Sequence, residues 1–248
     1  MNELKNKTVL ITGGARRLGK ATALAMAGAG ANVAITYLSS AEQAHQALAE
    51  IEGQGARGLA VECDLRKEDR VERAVEQVLS RFGGIDVLVN NAGVFLSANF
   101  EDITSEQWDD VFATNVRGPF LVSKLCVPAL RKSRGRIVHM GSLGGIEPWA
   151  THAHYCSSKA ALHMLTKVMA KALAPEIAVN CVAPGMIDIP ADPGHGRREA
   201  EFFGRMAAKT PMKANGTPAD VAGAVLYLAT ASHFITGQIL TVDGGLGL

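Results

Sequence analysis

The sequence is poor in cysteine, in aromatic residues and in net charge. It has four cysteines among 248 residues, and because no two of them form a C-x-x-C pair, neither a zinc ligand set nor a redox dithiol is indicated. Lysine plus arginine (25) nearly balance aspartate plus glutamate (24), so no overall field attracts nucleic acid. No apolar run is long enough to span a bilayer, and the polar first residues lack the apolar stretch of a signal peptide. We therefore expect a cytoplasmic protein with a small-molecule partner and with neither a nucleic-acid nor a membrane partner.

Short β-branched runs alternate with longer amphipathic stretches along the whole chain. This is the pattern of βαβ units that build a parallel sheet covered by helices on both faces. The 48% hydrophobic content supplies enough apolar side chains for both faces. We predict an α/β protein with one Rossmann-type doubly wound domain over residues 1–248 and a seven-stranded, mostly parallel sheet. The predicted strands are residues 8–12, 32–36, 58–62, 86–90, 136–140, 177–183 and 238–242.

Polar residues mark the starts of three predicted helices. Ser40 with Gln43 and Thr104 with Gln107 fit the capping box, in which side-chain and backbone groups of the first turn bond reciprocally. Thr217 precedes a proline at the first helical position, where the missing N–H costs no hydrogen bond. We expect all three sites to be helix starts.

One long stretch, residues 184–216, lacks a regular pattern. It contains Pro190, Pro193, Gly194 and Gly196, which interrupt helices and strands alike. Long irregular segments are frequently lids or binding loops. We predict that this stretch is an irregular loop that covers the substrate.

A glycine-rich turn follows the first predicted strand and opens the first predicted helix. Gly13 can adopt the backbone angles of a tight turn, and Gly19 lets the helix pack closely on the strand. The N-terminus of that helix offers free N–H groups and a positive dipole to a pyrophosphate. In this context the turn indicates a dinucleotide-binding site, although a glycine cluster by itself is also compatible with a simple turn.

This turn resembles the T-G-x-x-x-G-x-G motif of short-chain dehydrogenases/reductases. Thr12, Gly13 and Gly19 match, whereas Arg17 replaces the middle glycine. The resulting T-G-x-x-x-R-x-G resembles the variant in pteridine reductases and some bacterial relatives, where the arginine assists the cofactor phosphates. The resemblance therefore implies a nicotinamide dinucleotide cofactor.

The residues after the second predicted strand indicate which cofactor form is bound. NAD-preferring enzymes place an acidic residue there to bind the ribose 2′-hydroxyl, but residues 37–40 contain no carboxylate. Arg16 or Arg17 can pair with a 2′-phosphate, and the hydroxyls of Ser39 and Ser40 can donate to it. We predict NADP(H). The alternative is that Arg16 is only solvated and that Ser40 only caps the next helix.

Tyr155 and Lys159 have the most informative spacing in the sequence. Positions four apart on a helix share a face, about 6 Å apart at Cβ, so the phenol and the ammonium can act on one small volume. Ser142 lies 13 residues before Tyr155 and directly after the strand predicted at 136–140, at the sheet edge where sites form in such folds. The order of Asn115, Ser142, Tyr155 and Lys159 resembles the catalytic tetrad of the same family.

The resemblance implies a mechanism in which hydride passes from C4 of NADPH to a carbonyl carbon. Tyr155 donates the proton, Ser142 holds the carbonyl oxygen, and Lys159 binds the nicotinamide ribose and lowers the pKa of the tyrosine. Asn115 is expected to hold a water that links Lys159 to solvent, unless it is a helix cap or a surface amide. The hydride chemistry belongs to the cofactor, whereas the protein supplies position and electrostatics.

Further matches extend the resemblance over nearly the whole chain. Asp64 resembles the family aspartate that faces adenine, although it is equally placed to cap the next helix. The N-N-A-G at residues 90–93 and the Pro-Gly at 184–185 also match, whereas Ile189 replaces a threonine that contacts the nicotinamide amide. The expected cofactor contacts are Gly13, Arg16, Arg17, Leu18, Gly19, Tyr37, Ser39, Ser40, Asp64, Leu65, Asn91, Ala92, Gly93, Tyr155, Lys159, Pro184, Gly185 and Ile187.

The substrate is predicted only as a carbonyl or alcohol. The Arg17 variant favours a pteridine reductase, whereas Ser142 favours general carbonyl chemistry, because pteridine reductases tend to have an acidic residue there. A 3-oxoacyl carrier-protein reductase is a further alternative, since the basic cluster within 131–134 can attract an acidic carrier, although such a cluster is more commonly a solvated helix end. A non-catalytic NADP-binding sensor or scaffold on the same fold is the alternative of another class.

Assembly and metal binding complete the expectations. Relatives associate through two long helices, here residues 104–131 and 152–174, and through the last strand, which implies a homotetramer or a homodimer. His152 and His154 have no carboxylate at helical ligand spacing, so we expect no metal and place them at the substrate pocket or in solvent. His163 falls within a helical pattern and is predicted to be a packing residue.

Overall fold

Seven parallel strands form the central sheet of the computed structural model, which describes residues 3–189 and 197–248. The strands are β1 (Thr8–Ile11), β2 (Asn32–Tyr37), β3 (Gly58–Glu62), β4 (Val87–Asn90), β5 (Arg136–Met140), β6 (Ala178–Pro184) and β7 (Ile239–Val242). They lie in the order β3-β2-β1-β4-β5-β6-β7, and every pairing is parallel. The predicted Rossmann-type architecture is confirmed.

The strands form where the sequence has short runs of buried apolar residues. All residues of β1, β4 and β6 are buried, as expected of parallel strands that are covered on both faces. Successive side chains point to opposite faces, so Val138 packs in one core and its neighbour Ile137 in the other. The edge strand β7 remains partly exposed.

Helices cover both faces of the sheet. None within the described part of the chain is both long and apolar enough to cross a membrane. The helices are α1 (Arg17–Gly28), α2 (Ala41–Gly53), α3 (Glu68–Phe82), α4 (Ser105–Phe112), α5 (Gly118–Ser133), α6 (Ala153–Leu173), α7 (Arg197–Lys209) and α8 (Pro218–Thr230). A π-helical turn, Ala113–Arg117, joins α4 to α5, and a 3₁₀ turn, Leu143–Gly145, follows β5.

Two of the three predicted helix starts have the expected caps. The Thr104 side chain accepts from the Gln107 backbone N–H, and Gln107 completes the capping box. Thr217 forms a capping box with Asp220. The box predicted at Ser40 is wrong, because its side chain makes no capping hydrogen bond. With φ −94° and ψ 54°, Ser40 lacks the extended backbone that aims a cap hydroxyl at the first turn.

The prediction that residues 184–216 are irregular is wrong in part. Helix α7 occupies Arg197–Lys209, and Ile187 forms an isolated parallel bridge with Gly216. The prolines and glycines just before α7 obscured a segment rich in alanine, glutamate and arginine, which are good helix formers. Those punctuating residues, Pro190, Pro193, Gly194 and Gly196, lie outside the described residues.

Candidate active site

The residues of the predicted tetrad meet at the carboxyl ends of β4 and β5. Ser142 follows β5 by two residues, whereas Tyr155 and Lys159 project from α6. Gly93, just after β4, marks the meeting point: a Cβ placed there would lie 3.1 Å from Asn115 Oδ1 and 3.5 Å from Lys159 Nζ. A larger residue at 93 would therefore press on two of the four side chains.

The pKa of Tyr155 is governed mainly by burial, which raises it to about 12, whereas the neighbouring Ser142 hydroxyl acts in the opposite direction. The Lys159 ammonium lies 5.7 Å from the centre of the Tyr155 ring. The lowered pKa that the family resemblance implies for Tyr155 depends on Lys159 together with a bound cofactor and stays a prediction, whereas in the protein without cofactor desolvation of the phenolate outweighs the favourable contacts. Tyr155 is thus protonated at neutral pH, which is the form that a proton donor requires.

Lys159 is buried behind the tyrosine. Its Nζ donates a hydrogen bond of 2.8 Å to the carbonyl oxygen of Met140, the last residue of β5. Burial lowers the pKa of Lys159 to about 8, because a charged ammonium is poorly solvated there. The lysine is therefore close to its titration point at physiological pH, and a new negative charge nearby would favour its protonated form.

Asn115 is neither a helix cap nor a surface amide. It is fully buried in the π-helical turn, a distortion that is frequent at functional sites. Its Nδ2 donates to the carbonyl of Val94 and to Ser158 Oγ, both at 3.0 Å, and its Oδ1 accepts from the Val94 N–H at 2.8 Å. Ser158 Oγ in turn donates to the backbone carbonyl of Tyr155 at 2.7 Å. Asn115 thus ties the loop after β4 to the helix that carries the tyrosine.

The glycine-rich turn is held against the end of β4. Asn91 Nδ2 donates to the carbonyls of Thr12 and Gly13 at 2.9 and 3.0 Å, and Thr12 Oγ1 accepts from the backbone N–H groups of Asn91 and Ala92, both at 3.0 Å. Gly13 has φ +63°, and a side chain at Gly19 would overlap the Gly13 carbonyl. The positive φ of Gly13 fits the tight turn predicted there, and α1 approaches the turn closely at Gly19.

The donor set around this turn suits a phosphorylated dinucleotide. Arg16 and Arg17 are exposed at the N-terminus of α1, and Arg17 has φ +52°, an uncommon conformation for a residue with a side chain. After β2, Ser39 is exposed and Ser40 is half-buried, and residues 37–40 carry no carboxylate. Leu18 and Tyr37 are half-buried beside these residues and pack against the same core.

Asp64 does not cap the following helix, which begins after Lys67. Its two carboxylate oxygens accept from the Arg66 guanidinium, both at 2.9 Å, and Oδ1 also accepts from the Arg66 backbone N–H at 3.0 Å. These hydrogen bonds lower the pKa of Asp64. The carboxylate is therefore charged and fixed, with the buried Leu65 beside it.

The last group of predicted contacts lies at the end of β6. The Gly185 backbone N–H donates to the Val242 carbonyl at 2.9 Å, and a Cβ at Gly185 would approach Asp243 Cβ to 2.5 Å. Pro184 and Ile187 are buried. This edge of the site is thus closed by β7.

A cluster of four rings at the site was not anticipated from the sequence. Phe95 stacks on His152 (centroids 4.6 Å apart, 22° between planes) and meets Tyr155 edge-on (4.8 Å, 90°). Trp149 lies parallel to Tyr155 (6.2 Å, 16°). His152 therefore belongs to this cluster, whereas His154 is fully buried and neither faces solvent nor lines an open pocket.

His163 packs as predicted but does more than fill space. Its imidazole fills the space beside Gly141 and Gly145, where a side chain at either glycine would collide with the ring. Its Nε2 accepts a hydrogen bond of 3.4 Å from the Ser142 backbone N–H. The signal that could have revealed this contact is helical spacing, since His163 is four residues beyond Lys159 and shares its face of α6.

Similarity to known proteins extends over nearly the whole chain. A family model described as enoyl-(acyl carrier protein) reductase matches residues 13–247. The 3-oxoacyl-(acyl-carrier-protein) reductase FabG of Staphylococcus epidermidis is 35% identical over 244 residues, covering 97% of this chain and 99% of the relative. The 3beta-hydroxysteroid dehydrogenase 1 of Eggerthella lenta is 35% identical over 253 residues, covering 100% and 96%.

Solved structures of similar chains agree with the fold. A short-chain dehydrogenase from Burkholderia cenocepacia in complex with NADP is 37% identical, has a TM-score of 0.92 and is matched over the full length of both chains. A blue fluorescent protein from a metagenomic library in complex with NADPH is 34% identical, with a TM-score of 0.91 and full coverage of both chains. Both structures carry the same cofactor type in the same fold.

Proposed function

Since the chain belongs to the short-chain dehydrogenase/reductase family, whose members use nicotinamide cofactors, we propose that it reduces a carbonyl substrate with NADPH. Tyr155 is the proton donor in this proposal. The observation that carries it is the convergence of Tyr155, Ser142 and Lys159 at the carboxyl ends of the strands, beside a turn suited to a dinucleotide. An NADP-binding scaffold without catalysis would not need these three groups together.

The chain's own residues supply orientation and a proton. Ser142 Oγ accepts from the Gly144 backbone N–H at 3.0 Å, which leaves its own O–H available to donate to a substrate carbonyl. The protonated Tyr155 donates to the oxygen of the carbonyl as negative charge develops there. Lys159 then stabilises the tyrosinate from behind. The bound reduced cofactor supplies the hydride to the carbonyl carbon.

The preference for NADPH over NADH rests on charge. Arg16 and Arg17 stand at the turn, residues 37–40 carry no acid to repel a phosphate, and two similar solved structures contain NADP or NADPH. Titration of both reduced cofactors tests this point. We expect NADPH to bind at least about tenfold more tightly than NADH, and Arg17→Ala to remove most of that difference. Equal or tighter binding of NADH would refute the assignment.

Reduction of a 3-oxoacyl thioester is the second candidate, favoured by the similarity to FabG. The basic cluster within 131–134 does not support it. Arg134 precedes β5 and Ser142 follows it, and the five residues of β5 span about 15 Å at about 3.3 Å per residue. The cluster therefore lies at the opposite end of β5 from Ser142.

We also propose assembly into a homotetramer. Exposed apolar side chains on α5 (Phe120), α6 (Met164, Val168) and β7 (Leu240) support association through these elements. Light scattering of the purified protein is expected to give four times the chain mass. A monomer at micromolar concentration would exclude this assembly.

Consumption of NADPH with a panel of ketones, 3-oxoacyl thioesters and pterins tests the catalytic proposal. We expect turnover of at least one carbonyl compound by the wild type and none above background by Tyr155→Phe. Tight NADPH binding without turnover across the panel would instead favour a non-catalytic sensor or scaffold.

A further inference from the structure

The four-ring cluster surrounds the candidate proton donor on two sides. Trp149 lies parallel to the Tyr155 ring, and Phe95 meets that ring edge-on. His152 stacks on Phe95 and meets Trp149 edge-on at 5.8 Å. Two parallel pairs thus cross at nearly right angles, an arrangement that aromatic rings favour because edges and faces carry opposite partial charge.

This cluster is unusual for such a chain. Aromatic residues are only 5% of the sequence, yet one of its two tryptophans, one of its three tyrosines and a phenylalanine meet at this place. The segments that supply them, the loop after β4 and the region that leads into α6, are distant in sequence. A general apolar lining of leucine and valine would bury an aliphatic chain equally well, so the concentration of rings calls for a specific role.

Phe95 leaves much of its surface open beside Tyr155. The side chain is 57% exposed although His152 covers one of its faces. Its chain neighbour Leu96 is also exposed, at 40%. Exposed apolar side chains beside a reactive group are typical of a binding site rather than of a protein surface without function.

His152 contributes a ring without a charge. Burial and the neighbouring His154 lower the pKa of His152, so its imidazole is neutral at physiological pH. The ring nitrogen Nδ1 lies 3.0 Å from Thr151 Oγ1, which fixes its orientation. A neutral, oriented imidazole extends the aromatic surface behind Phe95 and attracts no anionic substrate.

We propose that the substrate is a ketone attached to a planar aromatic or heteroaromatic ring, which Phe95 and Trp149 bind while Tyr155 reaches the carbonyl oxygen. This inference rests on the proposed function and adds the chemical class of the substrate. The open side of Phe95 offers a face or an edge for one more ring, in the same crossed arrangement that already holds the cluster. Carrier-bound aliphatic chains gain only apolar burial from such a surface.

A matched pair of substrates tests the proposal. Acetophenone and cyclohexyl methyl ketone have the same carbon skeleton and the same methyl ketone, but only the first ring is planar and aromatic. Because conjugation makes the carbonyl of acetophenone intrinsically less reactive toward hydride, the ratio of the two kcat/KM values is compared between proteins. Phe95→Leu keeps the apolar bulk and is expected to lower the ratio of acetophenone to cyclohexyl methyl ketone by about three- to tenfold relative to the wild type, the range given by one aromatic pair.

Phe234→Leu is the matched control variant. Phe234 is almost fully exposed and precedes β7, at the sheet edge opposite Tyr155, so its replacement is expected to leave the substrate ratio unchanged. A ratio that stays at the wild-type value in Phe95→Leu overturns the proposal even though Tyr155 catalysis stands.

Binding separates this proposal from the proposed function. Benzamide and cyclohexanecarboxamide present the same two ring types on a group that cannot be reduced, and calorimetry measures their affinity for the NADP-loaded protein. Tighter binding of benzamide, lost in Phe95→Leu, supports ring recognition even if no ketone is turned over. Equal binding of the two amides contradicts ring recognition whatever the activity.

Discussion

All strands of the sheet are parallel, so their amino ends form one side of it, here called the amino edge, and their carboxyl ends form the other, the carboxyl edge. The two use polar residues in different ways. At the amino edge, Lys7 pairs with Asp86 at 2.9 Å, and Asp86 also accepts from the Thr8 backbone N–H. The Arg136 guanidinium donates to the Ala231 carbonyl at 2.6 Å. At the carboxyl edge, by contrast, Tyr155 and Lys159 have pKa values moved far from their usual ones by burial.

The polar residues of the amino edge thus stabilise the fold, whereas those of the carboxyl edge are the candidate reactive groups. The amino edge even holds a cavity of about 740 Å³, lined by Lys7, Asp86, Arg136 and Tyr227 among others. Its charged groups are largely engaged with one another and with backbone groups, so nothing in them is prepared for proton transfer. Perturbed acids and bases beside an open aromatic surface are better evidence of a reaction centre than cavity size.

The largest expected effect comes from exchanging a tyrosine at each edge. Tyr155→Phe removes the proton donor, and we expect kcat for ketone reduction to fall by about 10³-fold, within the range of general acid catalysis. Tyr227→Phe alters the amino-edge cavity and is expected to leave kcat unchanged. Steady-state kinetics measures both, and fluorescence titration should show that neither variant changes NADPH affinity by more than about threefold. Equal losses in the two variants would erase the distinction between the edges.

Ser142→Ala is expected to lower kcat by about 10²-fold, because it removes a donor to the developing oxyanion. His163→Leu removes the acceptor of the Ser142 N–H and is expected to cost about tenfold, whereas His163→Gln, which keeps an acceptor, should cost less. If His163 acts through Ser142, His163→Leu has little further effect in the Ser142→Ala protein. Fully additive losses would show that His163 acts elsewhere.

The pH dependence of reduction tests the protonation states assigned to the carboxyl edge. The pKa of Lys159 is lowered to about 8, whereas that of Tyr155 is raised to about 12. Tyr155 therefore stays protonated, and Lys159 loses its charge as the pH rises through about 8. We expect kcat/KM for NADPH, which reports the free protein, to be highest below pH 8 and to fall above it, with the fall moved to higher pH in Lys159→Arg. A profile that is flat between pH 7 and pH 10 would contradict this assignment.

The smallest effect on catalysis is expected from the amino edge itself. Arg136→Leu removes hydrogen bonds to the Ala231 carbonyl and to His233, which should lower Tm by about 2 to 10 °C. The kcat of the folded protein should not change. Thermal unfolding and kinetics at 20 °C check the two statements, and a loss of kcat with an unchanged Tm would reverse the roles given to the two edges.

Much of the fold could be predicted because its strands are short apolar runs with a clear period. Each predicted strand boundary falls within one residue of the observed one. Helix α7 was missed because local prolines and glycines outweighed the helix-forming residues behind them. The cap at Ser40 failed for a different reason, since a capping box depends on backbone angles that residue type does not determine.

Some features of the candidate site could likewise be predicted from the sequence, and others could not. Tyr155 and Lys159 share a helix, so their proximity follows from spacing alone, and the sequence motif predicts it. The aromatic cluster joins Phe95 to residues more than fifty positions later, and only the fold brings them together. The raised pKa of Tyr155 could not be predicted from the sequence either, because it depends on how deeply the phenol is buried in the fold.

The most direct test of the account follows a labelled hydride. NADPH carrying deuterium at both C4 positions is incubated with acetophenone and the wild-type protein, and the product is analysed by mass spectrometry. We expect 1-phenylethanol with one deuterium at the carbinol carbon, and no such product from Tyr155→Phe above background. An unlabelled alcohol, or equal labelled product from the variant, would contradict the assignment of Tyr155 as the proton donor in hydride transfer to a carbonyl.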